Sequence, residues 1–301
     1  MNEHATNAGS RAGWALFAVS AAFIASAAFL VRGAPGDIPG LEVATAEDVA
    51  DAVLHLGFAA AGALVLARSR RNLYGWALCL VPLCFEANLF AGAYSTYGTF
   101  THPGSLPAPQ LFSLLSDLLF VPCVVLVVTV LPLLFPTGRP PTRRWWLVGV
   151  AAGAAVALAT TAMTIRPGPV DEDVPSGGAN PFGIGGADGV ANALELAGLL
   201  MLVAAAVGAV VSVVVRTRRS RGEERRQMKL FLGAVALVVA VFVLPEKQLH
   251  LDGEVGQISL AVVGILAFPV ATALAILRPA CIRRGAARTW SDPAARTMPD
   301  A

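Results

Sequence analysis

Long apolar segments separated by short polar ones dominate this chain of 301 residues. An apolar segment of about 20 residues is long enough to cross a lipid bilayer as one α-helix. Because the bilayer core offers no hydrogen-bond partner, a crossing segment is either a helix or a strand of a closed barrel, and these continuous runs lack the alternation of barrel strands. We therefore predict an all-α fold, a polytopic transmembrane helix bundle. The eight predicted spans are roughly residues 13–32, 48–67, 74–94, 111–135, 145–165, 190–215, 229–245 and 256–277.

Composition favours a membrane protein over a soluble domain. Hydrophobic residues make up 56% of the chain and charged residues 14%, whereas a soluble domain carries about 25% charged residues. The formal net charge is only +2. We therefore predict the lipid bilayer as a partner and no nucleic acid.

The basic residues are distributed unevenly among the loops. Nineteen of the 22 Lys and Arg residues lie in every second gap between apolar segments, and the other three are Arg32, Arg166 and Lys247. Short loops rich in Lys and Arg remain in the cytoplasm. The pattern predicts a multi-pass protein of the plasma membrane with both termini cytoplasmic. Its parts are an N-terminal tail at 1–12, an eight-span domain at 13–278 and a disordered tail at 279–301.

The four cysteines indicate neither a disulfide framework nor a metal site. Cys79, Cys84 and Cys123 fall within predicted spans, and Cys281 lies on the predicted cytoplasmic side. We expect them to pack as small apolar residues. The acidic run 171–173 lacks further spaced oxygen ligands, so a solvated loop is favoured over a cation site. No cofactor is predicted.

Small residues recur within several spans, as in Gly149 and Gly153, which are four residues apart, and in the Ala-rich runs 59–63 and 151–162. Residues of this size allow two membrane helices to approach closely. We therefore expect them at helix–helix interfaces.

Six polar residues fall in the outer half of the predicted spans. A charge within the bilayer is costly, so such residues normally face the bundle interior or a watery cavity. We hypothesise that they line a cavity open to the outside that binds a cation, a proton or a polar ligand. The alternative is that each is hydrated or paired near the interface and binds nothing, and this alternative is favoured for the shallow Asp51 and Glu195. The six residues are Asp51, His55, Glu86, Asn88, Asp117 and Glu195.

His55 lies four residues after Asp51 and so shares a helix face with it. Histidine is the side chain whose charge normally changes between pH 5 and 8. A structural role for this pair is favoured over a sensory one.

Charged residues on the predicted cytoplasmic face form two clusters. Glu223 and Arg226 are spaced to pair on one helix face. A cluster that faces lipid is favoured over a docking surface for a cytoplasmic partner. The clustered residues are Arg139, Arg143, Arg144, Arg219, Arg221, Glu223, Glu224, Arg225 and Arg226.

Four short motifs follow one another along the chain. They are Asn72-Leu73-Tyr74-Gly75-Trp76, Leu134-Phe135-Pro136-Thr137-Gly138-Arg139 with Arg143-Arg144-Trp145 after it, Asn180-Pro181-Phe182-Gly183-Ile184, and Arg221-Gly222-Glu223-Glu224-Arg225-Arg226-Gln227-Met228-Lys229. In this order they resemble the N-terminal multi-spanning membrane (sensor/input) domain of actinobacterial sensor histidine kinases. The resemblance covers residues 60 to 278.

The resemblance implies a sensor module, but the catalytic half of such kinases has no counterpart after the last predicted span. The histidines are His4, His55, His102 and His250, so no phosphoacceptor follows residue 278, and no glycine-rich ATP-binding segment follows either. We therefore expect no enzyme activity. The expected function is signal sensing or partner regulation through a separate cytoplasmic kinase or regulator, and a homodimer is a candidate assembly.

Two other functions are compatible with the sequence. Acidic groups in the outer half suit a small-molecule or cation/proton transporter, although no polar residues continue the path inward. The carboxylates and His55 also suit an intramembrane enzyme, but no nucleophile motif or metal spacing supports it, and this interpretation ranks last.

Overall fold

The computed structural model describes residues 3–34, 46–170, 178–222, 225, 228–229 and 231–233, without the side chains of 3–8, 46–51, 53 and 54. Within these ranges the chain is helical, with no strand and one isolated β-bridge between Pro169 and Ala179. The described helices are α1 (Glu3–Leu30), α2 (Ala46–Arg68), α3 (Leu73–Thr96), α4 (Pro109–Val125), α5 (Leu131–Leu134), α6 (Trp146–Ile165) and α7 (Asp188–Arg219). The all-α prediction is confirmed for this part of the chain.

Five helical segments are long and apolar enough to cross a membrane: Gly9–Leu30, Leu73–Thr101, Pro109–Leu134, Arg143–Ile165 and Asp188–Arg219. Helix α2 has 23 residues, and its part from His55 to Arg68 is a shorter apolar helix. A helix therefore covers each of the first six predicted spans. The predicted spans 229–245 and 256–277 lie almost wholly outside the described residues, as does the tail at 279–301.

The basic clusters of the described helices lie at one end of the bundle. A Cβ built on Gly9 would lie 2.6 Å from the carbonyl oxygen of Leu66 and 3.0 Å from the Cβ of Arg70, so the start of α1 lies beside the end of α2. We use "basic end" for the loops 69–72 and 135–145 together with the last turn of α7, which contact one another as described below. Residues 97–108 follow the other end of α3, and residues 166–170 and 178–187 connect the other end of α6 to α7; together they define the opposite end.

Helices α6 and α7 pack through small residues and turn their large apolar residues outward. The buried face of α7 consists of Ala191, Gly198, Ala205, Ala209, Ser212 and Val213. Leu196, Leu200 and Val207 are each more than half exposed. Small residues at helix contacts and large apolar residues on the outside are the arrangement expected in lipid.

The expected contribution of Gly149 and Gly153 to helix packing is not observed. No described atom lies within 4 Å of a Cβ built on either residue. Close approach is required instead at Gly62, where a Cβ would lie 2.6 Å from the Cys79 sulfur. Gly62 belongs to the predicted run 59–63, so the prediction of close packing is confirmed in that run but not at Gly149 and Gly153.

Two π-helical turns occur in the described chain. One, Tyr97–Thr101, follows α3, and the other, Leu126–Val130, lies between α4 and α5. Each is followed within two residues by a proline, Pro103 and Pro132. A proline has no N–H to donate, and its ring crowds the carbonyl four residues earlier. That carbonyl lies inside the widened turn in both cases, which accounts for the local departure from α-helix.

Candidate functional site

A histidine–glutamate pair, with the glutamate buried and the histidine partly buried, joins α2 to α3. The Nδ1 atom of His55 lies 2.7 Å from Oε1 of Glu86, and their side chains are 20% and 1% exposed. The His55 ring stacks on Phe85 with centroids 4.7 Å apart. Glu86 follows Leu73 by 13 residues, so it lies about 20 Å along the helix from the basic end. The pair therefore lies deep within the bundle.

The second carboxyl oxygen of Glu86 makes this pair a candidate binding site. Oε2 is buried and has no hydrogen-bond partner among the described atoms. A buried carboxylate is costly unless it is paired and hydrogen-bonded. An oxygen with an open position at this depth suits a proton or a small cation. Within the described ranges, no group of three or more His, Cys, Asp or Glu side chains is placed to hold a metal ion.

Asn88 belongs to a different contact, between α3 and α4. Its Nδ2 atom donates to the carbonyl oxygen of Ser116 at 2.6 Å, and Ser116 Oγ donates to the carbonyl oxygen of Asn88 at 3.0 Å. Asp117 is partly buried on the next position of α4. These bonds hold two helices together near the opposite end.

Glu195 lies apart from the His55–Glu86 pair. It accepts a hydrogen bond from Arg166, and its side chain is 61% exposed. The bond links the end of α6 to the start of α7 at the opposite end of the bundle. The exposure agrees with the interpretation of Glu195 as a paired residue near the interface.

The described contacts of the predicted polar residues lie in three places. His55 and Glu86 form one contact, Asn88 another and Glu195 a third, while the side chain of Asp51 lies outside the described residues. A cavity of about 440 Å³ at the opposite end is lined by Ala25, Ser26, Phe29, Leu30, Phe90, Tyr94 and Leu106. None of the six predicted residues lines this cavity, and their common outward-facing pocket stays a prediction.

Two of the family-like motifs meet at the basic end. The Asn72 side chain caps the start of α3 by accepting hydrogen bonds from the N–H groups of Tyr74 and Gly75 at 2.9 and 3.4 Å. Gly138 has φ +72°, and a Cβ there would lie 2.1 Å from Asn72 Oδ1. The turn after α5 thus fits against the cap of α3 only because residue 138 has no side chain.

Arg216 and two aromatic rings complete this contact. The Arg216 guanidinium donates to the carbonyl oxygen of Phe135, and its Nη2 also donates to those of Leu133 and Arg139 at 2.6 and 2.9 Å. The buried Phe135 ring lies 5.5 Å from the Tyr74 ring, centroid to centroid. We use "basic-end junction" for the contacts among Asn72, Tyr74, Phe135, Gly138 and Arg216. It ties the ends of α3, α5 and α7 into one unit.

The fourth motif approaches the same junction, whereas the third lies at the opposite end. Met228 of the fourth motif is buried in the same apolar cluster as Tyr74 and Phe135. Two residues after the motif, the Phe231 ring stacks on Phe135 with centroids 4.1 Å apart. Asn180 Nδ2 donates to the carbonyl oxygens of Met163, Thr164 and Arg166 at 2.9 to 3.1 Å, which caps the end of α6. The motifs that carry the resemblance therefore have local structural roles.

The predicted cytoplasmic charges are exposed wherever the structure describes them. Arg139 and Arg143 line one cavity at the basic end. Arg144, Arg219, Arg221 and Arg225 are also exposed. Glu223, Glu224 and Arg226 lie outside the described residues, so the predicted Glu223–Arg226 pair is not described.

Several partners in these contacts do not follow from the sequence interpretation. The sequence does single out Arg166, because it is one of three basic residues outside the gaps predicted to be cytoplasmic, and its pairing with Glu195 accounts for that exception. The sequence does not single out Ser116 or Asn72, because both are uncharged and residues of their type are common at helix contacts and caps. Arg216 is one of seven basic residues in its cluster, and nothing in the sequence distinguishes it from the other six.

Comparisons with known proteins found no family model that matches the chain, no matching curated protein and no matching solved structure. The resemblance of the four motifs to sensor kinases remains a prediction.

Proposed function

We propose that this chain is a multi-pass protein of the plasma membrane that acts as a non-catalytic signalling module. In this proposal the His55–Glu86 pair is the input site and the basic-end junction is the output. The observation that carries the proposal is the course of α3, since this one helix bears the buried Glu86 at its middle and the Asn72 cap at its start.

The proposed input is a proton or a small cation at Glu86 Oε2. The ionisable groups that the described helices place beside Glu86 include His55 on α2 and Cys123 on α4. Occupying Oε2 changes the charge balance between Glu86 and His55, and therefore the force that holds α2 against α3. A displacement of about 1–2 Å is typical of such helix switching. Tyr74 is 12 residues from Glu86, so the signal travels about 18 Å along α3.

The proposed output is recognition of a separate cytoplasmic kinase or regulator. Arg219, Arg221 and Arg225 are exposed and form no ion pair with another described residue. These three arginines come within nine residues after Arg216. In this proposal a change in the basic-end junction alters the direction in which their segment continues from α7. A homodimer would present two such segments.

Hydrogen exchange at the turn 135–142 tests the link between input and output. Full-length protein in lipid nanodiscs is compared at about pH 5 and about pH 8, the interval over which histidine normally changes charge, and with and without sodium ions. We expect exchange in the turn to differ between the two states in the unmodified protein. Glu86→Gln should abolish the difference, and the matched control Glu195→Gln should keep it.

Comparing variants at the same pH cancels the chemical effect of pH on exchange. If the unmodified protein and Glu86→Gln exchange identically in every condition, Glu86 is not the input site. If exchange in the unmodified protein and in Glu86→Gln responds equally to pH or to sodium, the signal enters at a site other than Glu86.

A cation or proton transporter is the second candidate. The observation in its favour is that Thr129 and Ser212 are buried nearer the basic end than Glu86, with hydroxyl oxygens that have no described partner. Against it, Leu78 and Val81 lie inward of Glu86 on α3 within a packed apolar core. Flux across reconstituted vesicles separates the two functions, since a signalling module produces none above the Glu86→Gln background.

A further inference from the structure

A cavity at the basic end combines positive charge with an adjoining apolar surface. It has a volume of about 560 Å³ and is lined by Arg139, Pro140, Thr142, Arg143 and Trp146. Both arginines are exposed, and neither forms an ion pair with another described residue. Their charges are therefore available to an anion.

The apolar surface continues from the cavity along α6. Trp146, Leu147 and Val150 are 58%, 58% and 50% exposed. Residues three and four apart lie on one face of a helix, so Arg143, Leu147 and Val150 form a continuous line. Tryptophan is enriched where a membrane meets water. A ligand that uses the whole surface has an anionic head and an apolar tail.

The backbone at the start of α6 adds to the positive potential. A helix begins here with the turn Arg143–Trp145, and the Thr142 side chain makes no capping hydrogen bond. N–H groups at a helix start carry partial positive charge and favour a nearby anion. The two guanidinium groups supply the main charge, and the helix start acts in the same direction.

We propose that this cavity binds the anionic headgroup of a phospholipid whose acyl chains lie along Trp146, Leu147 and Val150. Arg139 and Arg143 contact the phosphate, and Trp146 lies at the level of the glycerol. Because the carbonyl oxygen of Arg139 also accepts a hydrogen bond from Arg216, the bound lipid is attached to the basic-end junction. This proposal rests on the membrane location proposed above but not on the signalling function, and flux or hydrogen-exchange results do not bear on it.

Fluorescence quenching by brominated lipids tests the proposal. Full-length protein is reconstituted in phosphatidylcholine vesicles that contain chain-brominated phosphatidylglycerol or chain-brominated phosphatidylcholine at equal mole fraction. We expect stronger quenching by the anionic lipid, and Trp146→Phe should remove most of the difference. Each arginine near an anionic surface contributes about 1 kcal/mol, which corresponds to roughly a five-fold change in relative lipid affinity.

The double variant Arg139→Gln/Arg143→Gln should therefore lose most of the preference for phosphatidylglycerol. The matched control Arg70→Gln/Arg71→Gln removes two arginines from the neighbouring loop and should keep it. If the first variant fails to fold, Arg139→Lys/Arg143→Lys retains the charge and should retain most of the preference.

Three results would overturn the proposal. In the first, the two lipids quench the unmodified protein equally. In the second, Arg70→Gln/Arg71→Gln loses as much preference for phosphatidylglycerol as Arg139→Gln/Arg143→Gln, which indicates an effect of general surface charge. In the third, soluble glycerol phosphate or inorganic phosphate abolishes the preference, which identifies a site for free anions instead of lipid.

Discussion

Replacing His55 by leucine removes the partner of a glutamate that is almost completely buried. The Glu86 side chain is 1% exposed, its Oε1 lies 2.7 Å from His55 Nδ1, and its Oε2 already has no described partner. The variant therefore leaves the whole carboxyl group without a described hydrogen bond. Removing one member of a buried ion pair costs about 3–5 kcal/mol, and we expect His55→Leu to lower the free energy of unfolding by about 3 kcal/mol or more.

The double variant His55→Leu/Glu86→Leu should recover most of this loss. Replacing a buried pair by apolar residues of similar volume is often neutral or stabilising. The two substitutions are therefore strongly non-additive, which a double-mutant cycle measures as a coupling energy. A hydrogen bond between two neutral groups on membrane helices averages only about 0.6 kcal/mol, so the size of the coupling distinguishes an ion pair from a neutral contact.

The assay is unfolding of the purified full-length protein by titration of sodium dodecyl sulfate into mild-detergent micelles, followed by circular dichroism. His102 is an exposed histidine on the loop at the opposite end, and His102→Leu serves as the control, expected within about 0.5 kcal/mol of the unmodified protein. A loss of about 0.6 kcal/mol or less for His55→Leu refutes the ion pair. The ion pair is also refuted if His55→Leu/Glu86→Leu lowers the free energy of unfolding by the sum of the losses in the two single variants.

Two further predictions concern the basic-end junction, and both are measured by the same unfolding titration. Arg216→Gln loses charged hydrogen bonds to three carbonyl groups and should lower the free energy of unfolding by about 2–4 kcal/mol. Arg218 is exposed, and the control Arg218→Gln should change it by less than about 0.5 kcal/mol. Equal effects of the two substitutions would contradict a specific role for Arg216. Gly138→Ala places a Cβ 2.1 Å from Asn72 Oδ1 at φ +72° and should cost at least about 2 kcal/mol. Gly149→Ala meets no described atom within 4 Å and should be neutral or stabilising by about 1 kcal/mol, so an equal loss at both positions would count against the described turn.

The helical course of the described chain was predictable because it depends on local properties. A run of about 20 apolar residues specifies a helix in lipid whatever surrounds it. The grouping of Arg11, Arg70, Arg139 and Arg216 was also predictable, since the alternation of charge assigns every second gap to one side. The apolar helical segments that cover the first six predicted spans agree with them to within several residues at most of their ends.

The candidate site was only partly predictable. Depth along each helix is a one-dimensional property, and it correctly indicates that Glu86 lies inside the apolar region. Depth does not specify the direction in which a side chain points around its helix. Glu86 contacts α2, whereas Asn88, two residues later and about 200° around the helix, contacts α4. Residues that the sequence places at a similar depth can therefore make their hydrogen bonds to different helices.

The sequence by itself determined that this chain forms apolar helices with its basic loops gathered at one end. Both properties follow from hydrophobicity and charge, which each segment carries alone. Tertiary structure decided the rest: the pairing of His55 with Glu86, the use of Gly62 instead of Gly149 for close packing, and the choice of Arg216 among neighbouring arginines to hold the turn at Phe135. These choices depend on helix rotation and on which backbone groups meet in space. Residues distant in sequence set both, so no local pattern records them.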